Sequence, residues 1–161
     1  MFNLKAEFYL KIIFLFSLIA LISAFFIEYA LGHQPCNLCL IERIPYGLSI
    51  MIIMAIFLIR KNQKFLVMLL ILTFIFSFAI SFYHFGIEQG FFQESSVCGV
   101  KSSTEIVTKE DLLKQLSEKT ISCKDVTFRI FGLSLTSINI VISILFIITL
   151  LKIFKKYEKN K

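Results

Sequence analysis

Four apolar runs, each about as long as a bilayer is thick, constrain this chain more than anything else in it. Residues 12–31 are broken mainly by Ser17, Ser23 and Glu28. A helix of about twenty residues spans roughly 30 Å, the depth of the hydrocarbon layer. Residues 44–59 form a shorter run, which reaches full thickness only if its helix starts back near Cys39. Pro45 is comfortable only in a helix's first turn, so that helix is expected to begin a few residues before it, with Cys39 at or just ahead of its N-terminus. Residues 65–84 and 133–151 complete the set.

The chain is 57% hydrophobic, with 19 Phe, no Trp and a mean hydropathy of +0.81. A single 161-residue domain has too little interior to hide that much apolar surface, so most of it must face lipid. The first run is long for the core of a signal peptide and no small-x-small cleavage site follows it, so it is expected to be a retained span. The expected fold is an all-α membrane protein, a four-transmembrane-helix bundle with spans at about 12–31, 40–59, 65–84 and 133–151. A short loop, 32–39, and a long one, 85–132, share one side.

The net charge of +6 does not read as nucleic-acid binding, because the basic residues cluster at the ends of the apolar runs. Lys5, Lys11, Arg60, Lys61, Lys64 and the lysines from Lys152 onward all fall on one side, where acids are few. The positive-inside rule then places both termini in the cytoplasm and both cysteine-bearing loops outside. All four cysteines therefore lie on the oxidising side, where disulfide chemistry is the default.

Gln34–Gly47 reads QPCNLCLIERIPYG and sits where the second span begins. A C-x-x-C bridge closes a small strained ring and is easier to reduce than a relaxed structural bond. A nearby helix N-terminus, with Arg43 one turn beyond Cys39, favours a Cys39 thiolate. A static staple or half of a zinc site is the alternative. Against zinc, Cys98 and Cys123 are 25 residues apart rather than a second close pair. By themselves those two would form a structural bond worth about 3 kcal/mol; a C-x-x-C on the same face turns the preference toward exchange, with the loop exposing its bond to an incoming thiolate.

Arg43 in isolation would be an interfacial snorkelling residue, and so would His84 at the end of the third span. His33 precedes the C-x-x-C, but Leu40 follows Cys39, which excludes a C-x-x-C-H haem attachment. Glu28 and Glu42 are read as marking the interface. Residues 108–119, TKEDLLKQLSEK, have the pattern of a short amphipathic helix capped by Thr108, lying on the membrane or over the bundle end.

The run from Gln34 to Tyr46 resembles the signature of the DsbB family, the bacterial inner-membrane disulfide-bond formation proteins. The similarity extends to Tyr83, His84, Gly86 and Glu88, to Cys98 and Cys123, and to Gly132-Leu133-Ser134. The tryptophans common in that family are absent. The resemblance implies a thiol:quinone oxidoreductase. In it a periplasmic DsbA-like thioredoxin-fold protein attacks the Cys98–Cys123 disulfide through Cys98, and Cys123 then attacks Cys36. Cys39, freed as a thiolate, passes electrons to ubiquinone or menaquinone held near Arg43, with His84 a further candidate for that pocket. No metal is implied.

Two rivals differ in testable ways. A vitamin K epoxide reductase-like enzyme would carry its C-x-x-C late in the chain, not after the first span. A scaffold with structural disulfides would hold its bonds below about −300 mV, whereas a catalyst needs one pair far more oxidising. The sidedness has its own test: after reduction of intact cells, a membrane-impermeant thiol reagent should label the cysteines, and labelling only after lysis would overturn the topology.

Overall fold

Helix α1 runs Leu4–Tyr29, well ahead of the residue-12 start that hydropathy suggests. The reason is that a helix satisfies its own backbone hydrogen bonds, so a charge need only face outward, as Lys11 does, and does not end the helix. Ala6, Leu10, Ile13 and Ser17 recur at helical spacing and are buried, while Leu15, Ile19, Ile22 and Phe26 are exposed. That exposed apolar face is what lipid covers.

The computed structural model describes residues 4–59, 62–93, 98, 122–124, 129–130 and 133–159. Helix α2 spans Asn37–Leu58 and holds Pro45 inside it. Its start is earlier than expected: Cys36 is the N-cap, and Cys39 lies within the first turn instead of at its edge. Helix α3, Gln63–Glu88, runs a full turn past the expected end, which carries His84 inside the bundle. A two-residue antiparallel hairpin, β1 (Arg129–Ile130) with β2 (Leu133–Ser134), delivers the chain to helix α4, Leu135–Lys159. Ser134 Oγ accepts from the Ser137 N–H at 3.2 Å, which sets the α4 start two residues later than the apolar run does. The 108–119 segment lies outside the described residues.

All four helices are long and apolar enough to cross a membrane. Short connections make α1 and α2, and α2 and α3, antiparallel. Ser49 of α2 donates to Ser17 of α1 at 2.9 Å, and Lys64 at the start of α3 sits over the Phe154 ring near the end of α4. The main apolar core joins Leu10, Ile53, Ile56, Leu70, Phe74 and Leu150, all fully buried. A second, smaller cluster lies at the other end and contains Cys36, Leu38, Ile87, Cys98 and Cys123.

The end of α3 is closed by glycine in two ways. Gly90 has φ +78, a conformation costly for other residues. The carbonyl of Gly86 accepts from the Phe91 and Phe92 N–H groups at 2.8 and 3.1 Å, folding the Phe92 ring back onto Tyr83. A Cβ at position 86 would overlap that ring. Gly86→Ala should therefore displace Phe92 and destabilise the protein by about 1 kcal/mol, measurable as a lowered unfolding midpoint in detergent; an unchanged midpoint would mean that the ring relocates freely.

Candidate active site

Cys36 caps α2 with its sulfur. The Cys39 N–H donates to Cys36 Sγ at 3.3 Å, and the two sulfurs are 2.9 Å apart. His84 Nε2 stands 3.6 Å from the same sulfur. Of the two aids expected for Cys39, the helix N-terminus serves Cys36 instead: that sulfur occupies the cap and accepts the first-turn N–H, and it has the His84 imidazole besides. Its pKa is held well below the ordinary thiol range, chiefly by the hydrogen bond from the Cys39 side chain. Burial opposes this, while His84 and the Cys39 N–H add to it.

Cys98 and Cys123 form a disulfide with Cα atoms 5.7 Å apart. Both are buried, at 1% and 3%, in the cluster that contains Cys36. This differs from the exposed bond expected of a polar loop. The apolar side chains of Leu38 and Ile87 give the disulfide a place to pack, and the sulfurs are themselves among the more readily buried groups.

Arg43 does not spend its hydrogen bonds on the sulfur. Its guanidinium donates to the Glu28 carboxylate and, at 3.5 Å, to the Ala24 carbonyl, and lies 5.3 Å from the centre of the Phe25 ring. Glu28 is thus the counter-ion that lets an arginine sit among apolar helices, a role beyond marking the interface. Arg43 and Cys39 nevertheless line one cleft of about 280 Å³ between α1, α2 and the start of α4. Phe16, Ala20, Ile27, Ile138 and Ile142 form apolar walls, and the polar groups include Glu42, Tyr46, Thr136 and Asn139. Cys36 and His84 are not part of that lining.

His84 instead belongs to a buried polar line that sequence reading missed. Its Nδ1 is 2.9 Å from Glu42 Oε1 and 3.3 Å from Thr136 Oγ1. Thr136 donates to Glu88 Oε1 at 2.7 Å, and Glu88 Oε2 has no hydrogen-bond partner among the described residues. Asn139 donates to Glu42 Oε2 at 3.2 Å and to Ser81 Oγ at 2.7 Å, and accepts from the Tyr46 hydroxyl. Glu42 therefore does more than mark an interface, and His84 does not snorkel: it is 2% exposed. The missed signal was a polar stripe. Ser77, Ser81, His84 and Glu88 lie on one face of α3, and Thr136, Asn139 and Ser143 on one face of α4, each at helical spacing in an otherwise apolar span.

Cys36, Cys39 and His84 lie close enough to share a metal ion, their ligand atoms all within 4.8 Å. Sulfurs 2.9 Å apart are closer than the roughly 3.8 Å that two thiolates keep on a tetrahedral zinc with Zn–S of about 2.3 Å. The spacing suits sulfur–sulfur exchange. In the reduced protein, thiolate absorbance corresponding to about one sulfur should persist near pH 6, about two units below an ordinary thiol. It should vanish in Cys36→Ser and titrate higher, but survive, in Cys39→Ser; a pH-6 thiolate that survives only in Cys36→Ser would return it to Cys39.

The comparisons with known proteins agree with this geometry. The family model for Disulfide bond formation protein DsbB matches residues 6–153. An uncharacterized protein of Rickettsia prowazekii (strain Madrid E), RP370, is 32% identical over 147 residues, covering 90% of this chain and 86% of that relative. The matched stretch carries most of each of the four helices and both cysteine pairs, and the chain belongs to the DsbB family, whose members generate disulfide bonds as membrane oxidoreductases.

Proposed function

We propose that this protein reoxidises a DsbA-like thioredoxin-fold partner in the periplasm and passes the electrons to ubiquinone or menaquinone in the inner membrane. One observation carries the reading: the two sulfurs of the C-x-x-C have different neighbours. Cys36 packs in the cluster with the Cys98–Cys123 disulfide, whereas Cys39 opens onto a largely apolar cleft that also holds Arg43. This difference supports thiol exchange at one sulfur and electron transfer to a lipid-soluble oxidant at the other.

The cleft suits a quinone head. Its volume is at the low end of small-molecule sites, about 300 Å³ upward, and its walls are apolar with a few polar groups, as such sites require. Arg43, Asn139 and Tyr46 are the groups that would hold the carbonyl oxygens. A bound quinone supplies an acceptor for two electrons and two protons.

The remaining chemistry belongs to the chain. A thiolate of the reduced partner attacks Cys98, a step that needs the buried Cys98–Cys123 bond brought out of its apolar cluster. The S–S bond breaks toward Cys123, which leaves as a thiolate. Cys123 then attacks Cys36, whose bond to Cys39 breaks, and Cys39 departs as a thiolate into the cleft wall. The partner's second thiol resolves its bond to Cys98, and Cys98 reforms the bond with Cys123. That leaves Cys36 and Cys39 holding the two electrons. The proposed orientation puts both termini in the cytoplasm, so that the thiol exchanges occur outside.

The test mixes the detergent-solubilised protein with a reduced thioredoxin-fold partner and each quinone in turn. Partner oxidation should require quinone and be abolished in Cys39→Ser; no quinone dependence, or full activity in that variant, would defeat the reading. Loss of a charged hydrogen bond worth about 1.5–3 kcal/mol should make Arg43→Ala raise the quinone KM about tenfold or more, with exchange between the partner and the Cys98–Cys123 pair intact. Equal loss of both would make Arg43 structural.

A further inference from the structure

Forming a disulfide from two thiols releases two protons as well as two electrons. On the reading proposed above, which this inference presupposes, the electrons leave through Cys39 at the cleft. Cys36 lies outside the cleft lining, so its proton needs another way across. We propose that Glu42 carries that proton, receiving it from Cys36 through His84 and presenting it at the cleft wall.

The geometry supports each link. His84 has one ring nitrogen on the sulfur, Nε2 at 3.6 Å, and the other on the carboxylate, Nδ1 to Glu42 Oε1 at 2.9 Å. His84 does not line the cleft, whereas Glu42 does, as the only carboxylate to do so among the described residues. Asn139 fixes the second oxygen, Oε2, at 3.2 Å, so the carboxylate is held with one oxygen on the imidazole and the other toward α4. The groups facing this pair are few. Helix α2 brings Cys39 and Tyr46 beside Cys36, and α3 brings Glu88, with Oε1 3.8 Å from Nε2. Helix α4 offers only neutral Thr136 and Asn139, and on α1 Glu28 is paired with Arg43. Glu88 does not line the cleft.

The transfer balances as follows. Cys36, a thiolate in the reduced pair, has already given its proton to His84 Nε2; as the sulfur is oxidised, the N–H at Nδ1 breaks and O–H forms on Glu42. The thiolate left on Cys36 closes the bond to Cys39, whose two electrons go to the quinone as acceptor. The neutral ring, left with its proton on Nε2, takes up one of the protons shed by the partner's thiols when the next exchange returns a thiolate to Cys36. Glu42 then yields its proton to the reduced acceptor in the cleft.

Glu42→Gln keeps a hydrogen-bonding side chain of the same shape but cannot carry a proton. In the full-length protein, single-turnover oxidation of the reduced Cys36–Cys39 pair by quinone should slow about a hundredfold and acquire a larger solvent deuterium effect. Millimolar formate should restore much of the rate by supplying a mobile proton carrier. Glu88→Gln should leave the rate within a few-fold of the parent. A second readout needs no quinone: the infrared difference between dithiol and disulfide states of the quinone-free protein should contain a carboxyl protonation band that is absent in Glu42→Gln. Parent-like turnover in Glu42→Gln, slowing without isotope effect or formate rescue, or an unchanged infrared band would each overturn the inference while leaving the oxidoreductase reading intact. If the parent itself fails to use quinone, the oxidoreductase reading fails, and the infrared band alone then decides whether Glu42 receives the proton.

Discussion

A carboxylate inside a bilayer must be surrounded by donors, and Glu42 is the group around which the sulfur end of this bundle is assembled. Its two oxygens are met by His84 from α3 and Asn139 from α4, while it belongs to α2. No lipid can replace either partner, so the three helices have a single register in which the group is satisfied. Leaving one such buried group unpaired costs about 1–3 kcal/mol, more for a charge. At the opposite end the packing is apolar and permissive: Ile53, Ile56, Leu70, Phe74 and Leu150 fill the space without any directional demand. Polar contacts thus set the alignment, and apolar ones supply the bulk of the contact.

The same constraint explains why the two cysteines of one short motif have different neighbours. With Cys36 fixed as the cap of α2, the helix itself dictates where the next residues point. Cys39, Glu42, Arg43 and Tyr46 recur at three- and four-residue intervals, and all four line the cleft. Cys36 precedes the first turn and stays with Leu38, Ile87 and the loop disulfide. A motif of four residues can therefore serve two neighbours because one of its sulfurs is outside the helix and the other within it.

How much of this was legible in the chain divides along physical lines. The existence of four spans follows from apolar length, and the redox character from a C-x-x-C beside a helix start; both are local properties of the sequence. The helix ends differ from the expected span ends because hydropathy reports where lipid is, whereas a helix ends where its backbone bonds end. Hence α1 starts at Leu4 and α3 reaches Glu88. The fate of Arg43 depended on Glu28, and the role of His84 on Glu42 and Thr136, partners brought in from other helices. A single polar residue in a span invites the reading that it snorkels. Only the repeated spacing of Ser77, Ser81, His84 and Glu88 marks an inward-facing stripe, because a snorkelling residue has no need of companions one turn away.

The membrane setting also bears on how electrons and protons are related here. Two electrons delivered into an apolar cleft without protons would leave negative charge in a medium that cannot solvate it, at a cost of several kcal/mol per charge even after relaxation. Arg43 offsets only part of this, because its own charge is already shared with Glu28. A site that moves electrons through sulfur at this depth must therefore move protons nearby. The nearest groups able to do so are the imidazole that touches Cys36 and the carboxylate that touches the imidazole. The burial of His84 and Glu42, which would be a liability in a purely structural bundle, is what places an exchangeable proton within reach of both the sulfur pair and the cleft.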